Sequence, residues 1–271
     1  MLQTESAYVT AHGTKLHYYR TGSGSQPLIL IHGITDDSLC WTSVAEALSP
    51  AFDIIMVDLR GHGKSEAPDS GYTLENLAKE LAGLIQQLGV KQPIIIGHSL
   101  GAITSLILAG LNPDLPHAIV LTDPPAHWCF DPSDQDGMEK RKSISDWIQS
   151  IKRKTKEELM EEARTKGWSD ADQATWVNAK QRASFRVIEL VAPPDIPAID
   201  FTELVSRIKC PVLLLQGDIS RGAICTEAEI ANLKTLYPAL QTVLIPEATH
   251  SIYRSKFTPF MKAVKEFISE L

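Results

Sequence analysis

A serine between two glycines is the residue in this sequence whose surroundings point most clearly to chemistry. Ser99 lies in the Gly-His-Ser-Leu-Gly run of residues 97–101, directly after the apolar run 94–96 and before a helical pattern. In a strand–turn–helix context, the two glycines permit a tight turn that presents the serine hydroxyl to a site. The pattern therefore predicts Ser99 as a nucleophile.

A serine hydroxyl reacts readily only when a base takes its proton and a third group orients that base. Of the eight histidines, His250 follows the last predicted strand and so belongs at the same sheet edge as Ser99. His98 precedes the nucleophile and is expected to point away from it, and His62 is expected to shape a loop. We therefore predict His250 as the base.

Acyl transfer also needs hydrogen-bond donors for the developing oxyanion. The backbone N–H of Leu100 is one candidate, because it follows the nucleophile at the start of a helix. The second is the N–H of Ile34, in the loop that opens with His32 and Gly33.

The elements that must position these residues alternate between strand and helix, which is typical of an α/β fold. The apolar runs are continuous, as expected of strands buried on both faces of a parallel sheet. An antiparallel hairpin is predicted over residues 8–20. The predicted strands are 27–31, 54–57, 93–96, 118–121, 212–215 and 242–245, and the predicted helices are 41–48, 73–88, 102–111, 227–236 and 258–271.

One long stretch has no convincing strand. Residues 127–207 contain helical, charge-rich patterns, and an excursion of that length needs structure of its own. We predict a helical cap over 127–207, inserted after the sixth strand, and a core domain formed by residues 1–126 and 208–271. The charged run 152–162 is interpreted as a solvated helix face.

Taken in order, these motifs resemble the α/β-hydrolase superfamily along essentially the whole chain. The matching segments are His32-Gly33, residues 58–65, residues 97–101 and His250. The resemblance implies a mostly parallel α/β-hydrolase sheet with helices on both faces and a serine nucleophile.

The resemblance leaves the acid of the triad open. Many members carry it three residues after the glycine that ends the strand starting at Val212, but that position here is Ser220. Asp218 lies two residues earlier. Other members take the acid from the preceding strand, about 24 residues after the nucleophile, which is Asp123 here. We favour Asp123, with Asp218 as the alternative.

The resemblance implies hydrolysis of a carboxylic ester or lactone of a small, partly apolar substrate through an acyl-enzyme, as in carboxylesterases and lactonases. A carbon–carbon bond hydrolase or a lyase could use the same triad. A receptor that binds a small molecule with little turnover is a further alternative. Turnover of a simple ester distinguishes the enzyme from the receptor.

Four of the five tryptophans fall in the predicted cap, where aromatic side chains could line an apolar pocket. Trp128, Trp147 and Trp176 are the predicted substrate contacts. The sequence assigns no lysine or arginine to a substrate carboxylate.

Composition narrows the class of protein. The 271 residues carry a formal net charge of −7, which argues against nucleic acid or an anionic membrane as the main partner. The start lacks a signal-peptide pattern, no apolar stretch is long enough to span a bilayer, and the four cysteines have no paired spacing, so a cytoplasmic location is expected. No phosphate-binding loop, dinucleotide fingerprint or metal-ligand spacing occurs, so no cofactor and no metal are expected. The sequence does not indicate an oligomeric state.

Overall fold

The computed structural model describes residues 4–126, 135–191 and 200–271. Eight strands form one sheet in the order β1-β2-β4-β3-β5-β6-β7-β8. β1 and β2 form an antiparallel hairpin, β2 is antiparallel to β4, and all other neighbours are parallel. The strands are β1 (Glu5–Ala11), β2 (Thr14–Gly22), β3 (Gln26–Ile31), β4 (Phe52–Val57), β5 (Ile94–His98), β6 (Ala118–Thr122), β7 (Val212–Gln216) and β8 (Gln241–Leu244). The predicted mostly parallel sheet is confirmed.

The α-helices of the described residues connect these strands, and short 3₁₀ turns accompany them. The helices are α1 (Thr42–Leu48), α2 (Leu74–Gln87), α3 (Leu100–Leu111), α4 (Gln135–Arg153), α5 (Lys156–Arg164), α6 (Asp170–Arg182), α7 (Phe201–Ser206), α8 (Glu227–Leu236), α9 (Ile252–Ser255) and α10 (Phe257–Ser269). The five helices predicted outside residues 127–207 correspond to α1, α2, α3, α8 and α10.

Alternate residues of the strands enter two separate hydrophobic cores, one on each face of the sheet. On β3, Leu28 and Leu30 pack with side chains of α1 and α10. Ile29 and Ile31 point to the opposite face, where α2, α3, α7 and α8 pack. Because both faces are covered, the central strands are apolar throughout, which explains the continuous runs in the sequence.

β8 is an exception to that pattern. It lies at the edge of the sheet, and the side chain of Leu244 is 53% exposed. The strand was correctly predicted, but its expected burial on both faces was wrong, because only one neighbour and little helix surface cover an edge strand.

Helices fill the described part of the chain between β6 and β7. The side chain of Lys152 in α4 donates hydrogen bonds to backbone carbonyls at the C-terminal end of α6, including that of Lys180 at 2.9 Å. Lys154 pairs with Glu162 at 2.7 Å, so the charged run lies only partly in solvent. α7 falls within the predicted cap range, yet its Leu204 packs on α3 with the core. The domain boundaries remain a prediction.

None of the helices in the described ranges combines the length and apolar character that a membrane crossing requires.

Asp58, directly after β4, connects three parts of the core. Its carboxylate accepts hydrogen bonds from the amides of Ser38 (2.8 Å) and Lys64 (3.0 Å) and from His17 Nδ1 (2.8 Å). Burial alone would raise the pKa of Asp58, but these bonds, first the one from His17, lower it to about 2. The ionised carboxylate therefore stabilises the fold fully above the unfolded-state pKa near 3.8, and this contribution is lost as the pH falls towards 2.

We expect Asp58→Asn to lower the free energy of unfolding at pH 7 by about 3 kcal/mol, because buried donors lose their charged acceptor. The difference from wild type should shrink as the pH falls from 4 towards 2. Urea unfolding at pH 7 and at pH 3 measures both values. Asp53→Asn is the matched control, since Asp53 pairs with Arg20 near the surface and should contribute less than about 1 kcal/mol. A loss at Asp58 that is independent of pH would contradict this account.

Candidate active site

Ser99 occupies a strained turn between β5 and α3. Its φ of 52° and ψ of −113° lie in a region that few non-glycine residues adopt, at a cost of about 1–3 kcal/mol. A side chain at Gly97 would place Cβ 2.3 Å from the carbonyl oxygen of Gly101, and one at Gly101 would lie equally close to that of Ile31. The two glycines therefore make the turn possible by allowing the chain segments to approach.

Two backbone amides close to Ser99 have no hydrogen-bond acceptor among the described residues. The N–H of Leu100 is at the first residue of α3, where a helix has no internal acceptor for it. Ile34 lies in the loop after β3 and lines the same cavity as Ser99. Among the hydrogen bonds of the described residues, neither amide donates to a protein oxygen. Both are thus available to an oxyanion.

Two buried histidines fix the loop that carries Ile34. His62 Nε2 accepts the amide of Thr35 at 3.0 Å, and His32 Nε2 accepts the amide of Leu59 at 3.0 Å. The other ring nitrogen of each donates to a backbone carbonyl. Burial lowers the pKa of His62 to about 3, which keeps its ring neutral and able to accept. The loop-shaping role predicted for His62 agrees with these contacts.

An ion pair connects the same loop to the segment that carries His250. Asp36 accepts two hydrogen bonds from Arg254 in α9, at 2.8 and 3.2 Å, and both side chains are buried. The loop of Ile34 and the loop of His250 are therefore held against each other.

His250 is hydrogen-bonded to Asp123. His250 Nδ1 lies 2.6 Å from Asp123 Oδ2, and Asp123 is completely buried at the end of β6. The carboxylate also accepts the amides of Ile224 (3.0 Å) and Cys225 (3.1 Å) from the loop after β7. Because a carboxylate only accepts, the His250 Nδ1 carries the proton, and Nε2 has no hydrogen bond to any described residue.

Asp218, the alternative acid, lies in the loop after β7, close to the end of that strand. Its carboxylate accepts hydrogen bonds from the amide and hydroxyl of Ser220, at 2.9 and 2.6 Å, and from the amide of Glu247 at 3.3 Å. Its contacts are those of a turn-forming aspartate. Within the described residues it makes no hydrogen bond to His250.

His98 contacts the backbone of the loop that carries His250, a role that the sequence did not suggest. Its Nε2 donates to the carbonyl of His250 at 3.0 Å, and the two rings lie 4.6 Å apart. Burial lowers the pKa of His98 well below its usual range, so the ring is neutral. It lines the cavity too, contrary to the expectation that it points away.

Ser99 and His250 lie on the wall of one cavity of about 640 Å³. No hydrogen bond joins the Ser99 hydroxyl to the His250 ring in the described part of the chain, and such bonds are often long before a substrate is present. Trp147 and Trp176, predicted as substrate contacts, both line this cavity. Trp128 lies outside the described residues.

The sequence analysis missed several lining residues, among them Trp168 and Lys180. Trp168 packs edge-to-face on Trp176 with the ring centroids 6.1 Å apart, and Lys180 lies four residues after Trp176 on α6. The i, i+4 spacing of Trp176 and Lys180 places both on one helix face and was an available signal. Trp168 lies in the turn between α5 and α6, where no periodic pattern identifies it.

Across residues 4–126, 135–191 and 200–271, no group of three or more His, Cys, Asp or Glu side chains is arranged to hold a metal ion. Asp37 instead caps a 3₁₀ turn by accepting the amide of Leu39 at 3.1 Å.

Comparisons with known proteins cover nearly the whole chain. A family model described as alpha/beta hydrolase fold matches residues 26–256. N-formylmaleamate deformylase of Pseudomonas putida is 28% identical over 268 residues, which are 96% of this chain and 95% of that protein. 2-(Acetamidomethylene)succinate hydrolase of Mesorhizobium japonicum is 29% identical over 258 residues, or 90% and 89% of the two chains. The crystal structure of E-2-(acetamidomethylene)succinate hydrolase superposes with a TM-score of 0.81 at 25% identity, covering 98% of this chain and all of the other.

Proposed function

The chain belongs to the α/β-hydrolase family, and on that premise we propose that it is a serine hydrolase that transfers an acyl group from a small substrate to water. Ser99 is the nucleophile, His250 the base and Asp123 the acid that orients it. The observation that carries the proposal is the 2.6 Å contact between His250 and Asp123, at a cavity that Ser99 also lines.

The reaction follows from this arrangement. His250 Nε2 takes the hydroxyl proton as Ser99 Oγ attacks the substrate carbonyl, and the amides of Ile34 and Leu100 stabilise the resulting oxyanion. The intermediate collapses to an acyl-serine, while His250 passes the proton to the leaving group. A water molecule, deprotonated by His250, then attacks the acyl-serine and releases the carboxylic acid.

A carboxylic ester or lactone is the substrate that this machinery cleaves most easily, because an alcohol is a better leaving group than an amine. Trp147 and Trp176 offer aromatic surface to an apolar part of the substrate. We therefore propose carboxylesterase or lactonase activity on a small, partly apolar substrate.

An N-acyl compound is the second candidate. The names of two relatives similar over most of the chain describe substrates with an N-acyl group, formyl in one and acetamido in the other. The same steps would then release an amine or amide, with His250 as the proton donor.

We expect 4-nitrophenyl acetate to acetylate Ser99, with an initial burst of nitrophenolate approaching one per chain if deacylation is the slower step. Stopped-flow absorbance measures the burst, and mass spectrometry of an acid-quenched digest locates the acetyl group. Ser220 is the internal control, since it lines the same cavity but donates its hydroxyl to Asp218, and it should stay unmodified. Acetylation elsewhere, or a folded protein without burst or turnover, would contradict the proposal and favour a binding protein.

The same purified protein distinguishes cleavage of an ester bond from cleavage of an N-acyl bond. Short esters and N-formyl or N-acetyl amides of matched acyl groups are compared by kcat/KM. Higher values for the esters support the first candidate, and turnover restricted to the N-acyl compounds supports the second.

A further inference from the structure

Lys180 places a buried positive charge on the wall of the candidate active site. The side chain enters the cavity from α6, and the residue is only 3% exposed. Its Nζ donates to the carbonyl of Thr35 at 3.3 Å and lies 4.9 Å from the ring centroid of Trp176. An ammonium has three N–H donors, and within the described part of the chain this one makes a single long hydrogen bond.

The carboxylates near Lys180 are already paired with other cations. Asp36 accepts two hydrogen bonds from Arg254, and Asp37 pairs with Arg182 at 2.5 Å. No carboxylate of the described residues forms an ion pair with Lys180. Lys180 therefore has no ion-pair partner of its own among the described residues, and it shares the field of Asp36 with Arg254.

Other charges on the cavity wall do not supply the missing anion. The carboxylate of Asp36 also lines it but is held by Arg254. Lys166 and Arg221 line it and add positive charge, although Lys166 is in contact with Glu162 at 3.5 Å. Burial lowers the pKa of Lys180 to about 8, so its amine is still protonated in most molecules at pH 7. A protein with a net charge of −7 thus presents a cationic wall inside its candidate active site.

A buried ammonium is costly, and contacts with aromatic rings offset only part of that cost. A ligand anion would satisfy the free donors and the charge together. One lysine ammonium balances one negative charge, which matches a carboxylate.

We propose that Lys180 binds a carboxylate of the substrate, so that the site acts on small acyl compounds that carry an anionic group away from the cleaved bond. This inference rests on the proposed function of Ser99 and specifies the substrate class of the same cavity. Lys180 is a specificity-determining residue that takes no part in the proton transfers.

Two esters of matched shape test the proposal. One is the mono-4-nitrophenyl ester of adipic acid, whose acyl chain ends in a carboxylate. The other is 4-nitrophenyl 6-methylheptanoate, in which an isopropyl group replaces that carboxylate. We expect wild type to prefer the charged ester, and Lys180→Met to lower the ratio of the two kcat/KM values on the order of 10²-fold, the size expected for loss of one partner of a buried charge pair.

Lys142→Met is the matched control, because it removes a lysine charge from α4 at an exposed residue that pairs with Asp146 away from the cavity. It should leave the ratio as in wild type. An unchanged ratio in Lys180→Met, or an equal loss for both esters together with a lower melting temperature, would overturn the proposal and assign Lys180 a structural role.

Calorimetric binding of monomethyl adipate separates this proposal from the proposed hydrolase activity. Binding to wild type that is lost in Lys180→Met, in a protein that hydrolyses neither ester, would support the anion site and overturn the hydrolase function alone. Ester turnover with equal binding of monomethyl adipate to both proteins would overturn the anion site alone.

Discussion

Replacing Ser99 by alanine is expected to lower kcat for 4-nitrophenyl butyrate by about 10⁴-fold or more, because no other group can form the acyl-enzyme. The variant should still bind substrate, since the oxyanion donors are backbone amides and the cavity wall is unchanged. Stopped-flow assays measure kcat. Equilibrium binding of a non-hydrolysed ether analogue of the ester tests whether the binding site is intact.

Ser105→Ala is the matched control for this loss. Ser105 lies on the same helix, α3, and its buried hydroxyl donates to the carbonyl of Gly101 at 2.7 Å instead of facing the cavity. We expect it to keep kcat within about threefold of wild type. Appreciable burst acylation of Ser99→Ala would show that the nucleophile is another residue.

The nucleophile turn could be predicted because its signals are local. The continuous apolar run of β5 indicates a strand buried on both faces, and the glycines at 97 and 101 are needed by the two close backbone approaches. The structure begins α3 at Leu100, two residues before the predicted start, because the turn leads into the helix without a spacer. Signals of this kind require only neighbours in sequence.

The cavity wall could not be predicted in the same way, because it depends on how helices between β6 and β7 pack against the core. A lysine on a polar helix is usually a solvated residue, and α6 shows no clear apolar stripe that would orient it. Lys180 is buried because Lys152 of α4 holds the end of α6 and because Thr35 lies opposite. Those contacts join segments far apart in the sequence.

The choice between two acids was left open for a related reason. Asp123 and Asp218 both follow a parallel strand, and both precede His250 in the chain. Spacing could not decide which loop reaches the histidine. In the structure, β6 and β7 are adjacent, so both strand ends reach the same edge, and only the direction of each side chain separates them.

Asp123→Asn is expected to lower kcat by about 10³- to 10⁴-fold, while Asp218→Asn should stay within about threefold of wild type. An asparagine at 123 can donate its amide N–H towards His250 Nδ1, which favours the tautomer with the proton on Nε2 and removes the base. In the described residues the Asp218 carboxylate accepts hydrogen bonds from Ser220 and from the amide of Glu247, and none from His250. Steady-state assays across pH, with thermal unfolding to confirm the fold, compare the two variants.

A large loss with Asp218→Asn and near-normal activity with Asp123→Asn would show that the assignment is reversed.

With Asp123 as the acid, the loop after β7 still contributes to the site, because its amides of Ile224 and Cys225 donate hydrogen bonds to the Asp123 carboxylate. A carboxylate that accepts two backbone amides and one imidazole has its orientation set by the fold. The later loop thus supports the acid through its backbone, which explains how an acid from the earlier strand can serve the same histidine.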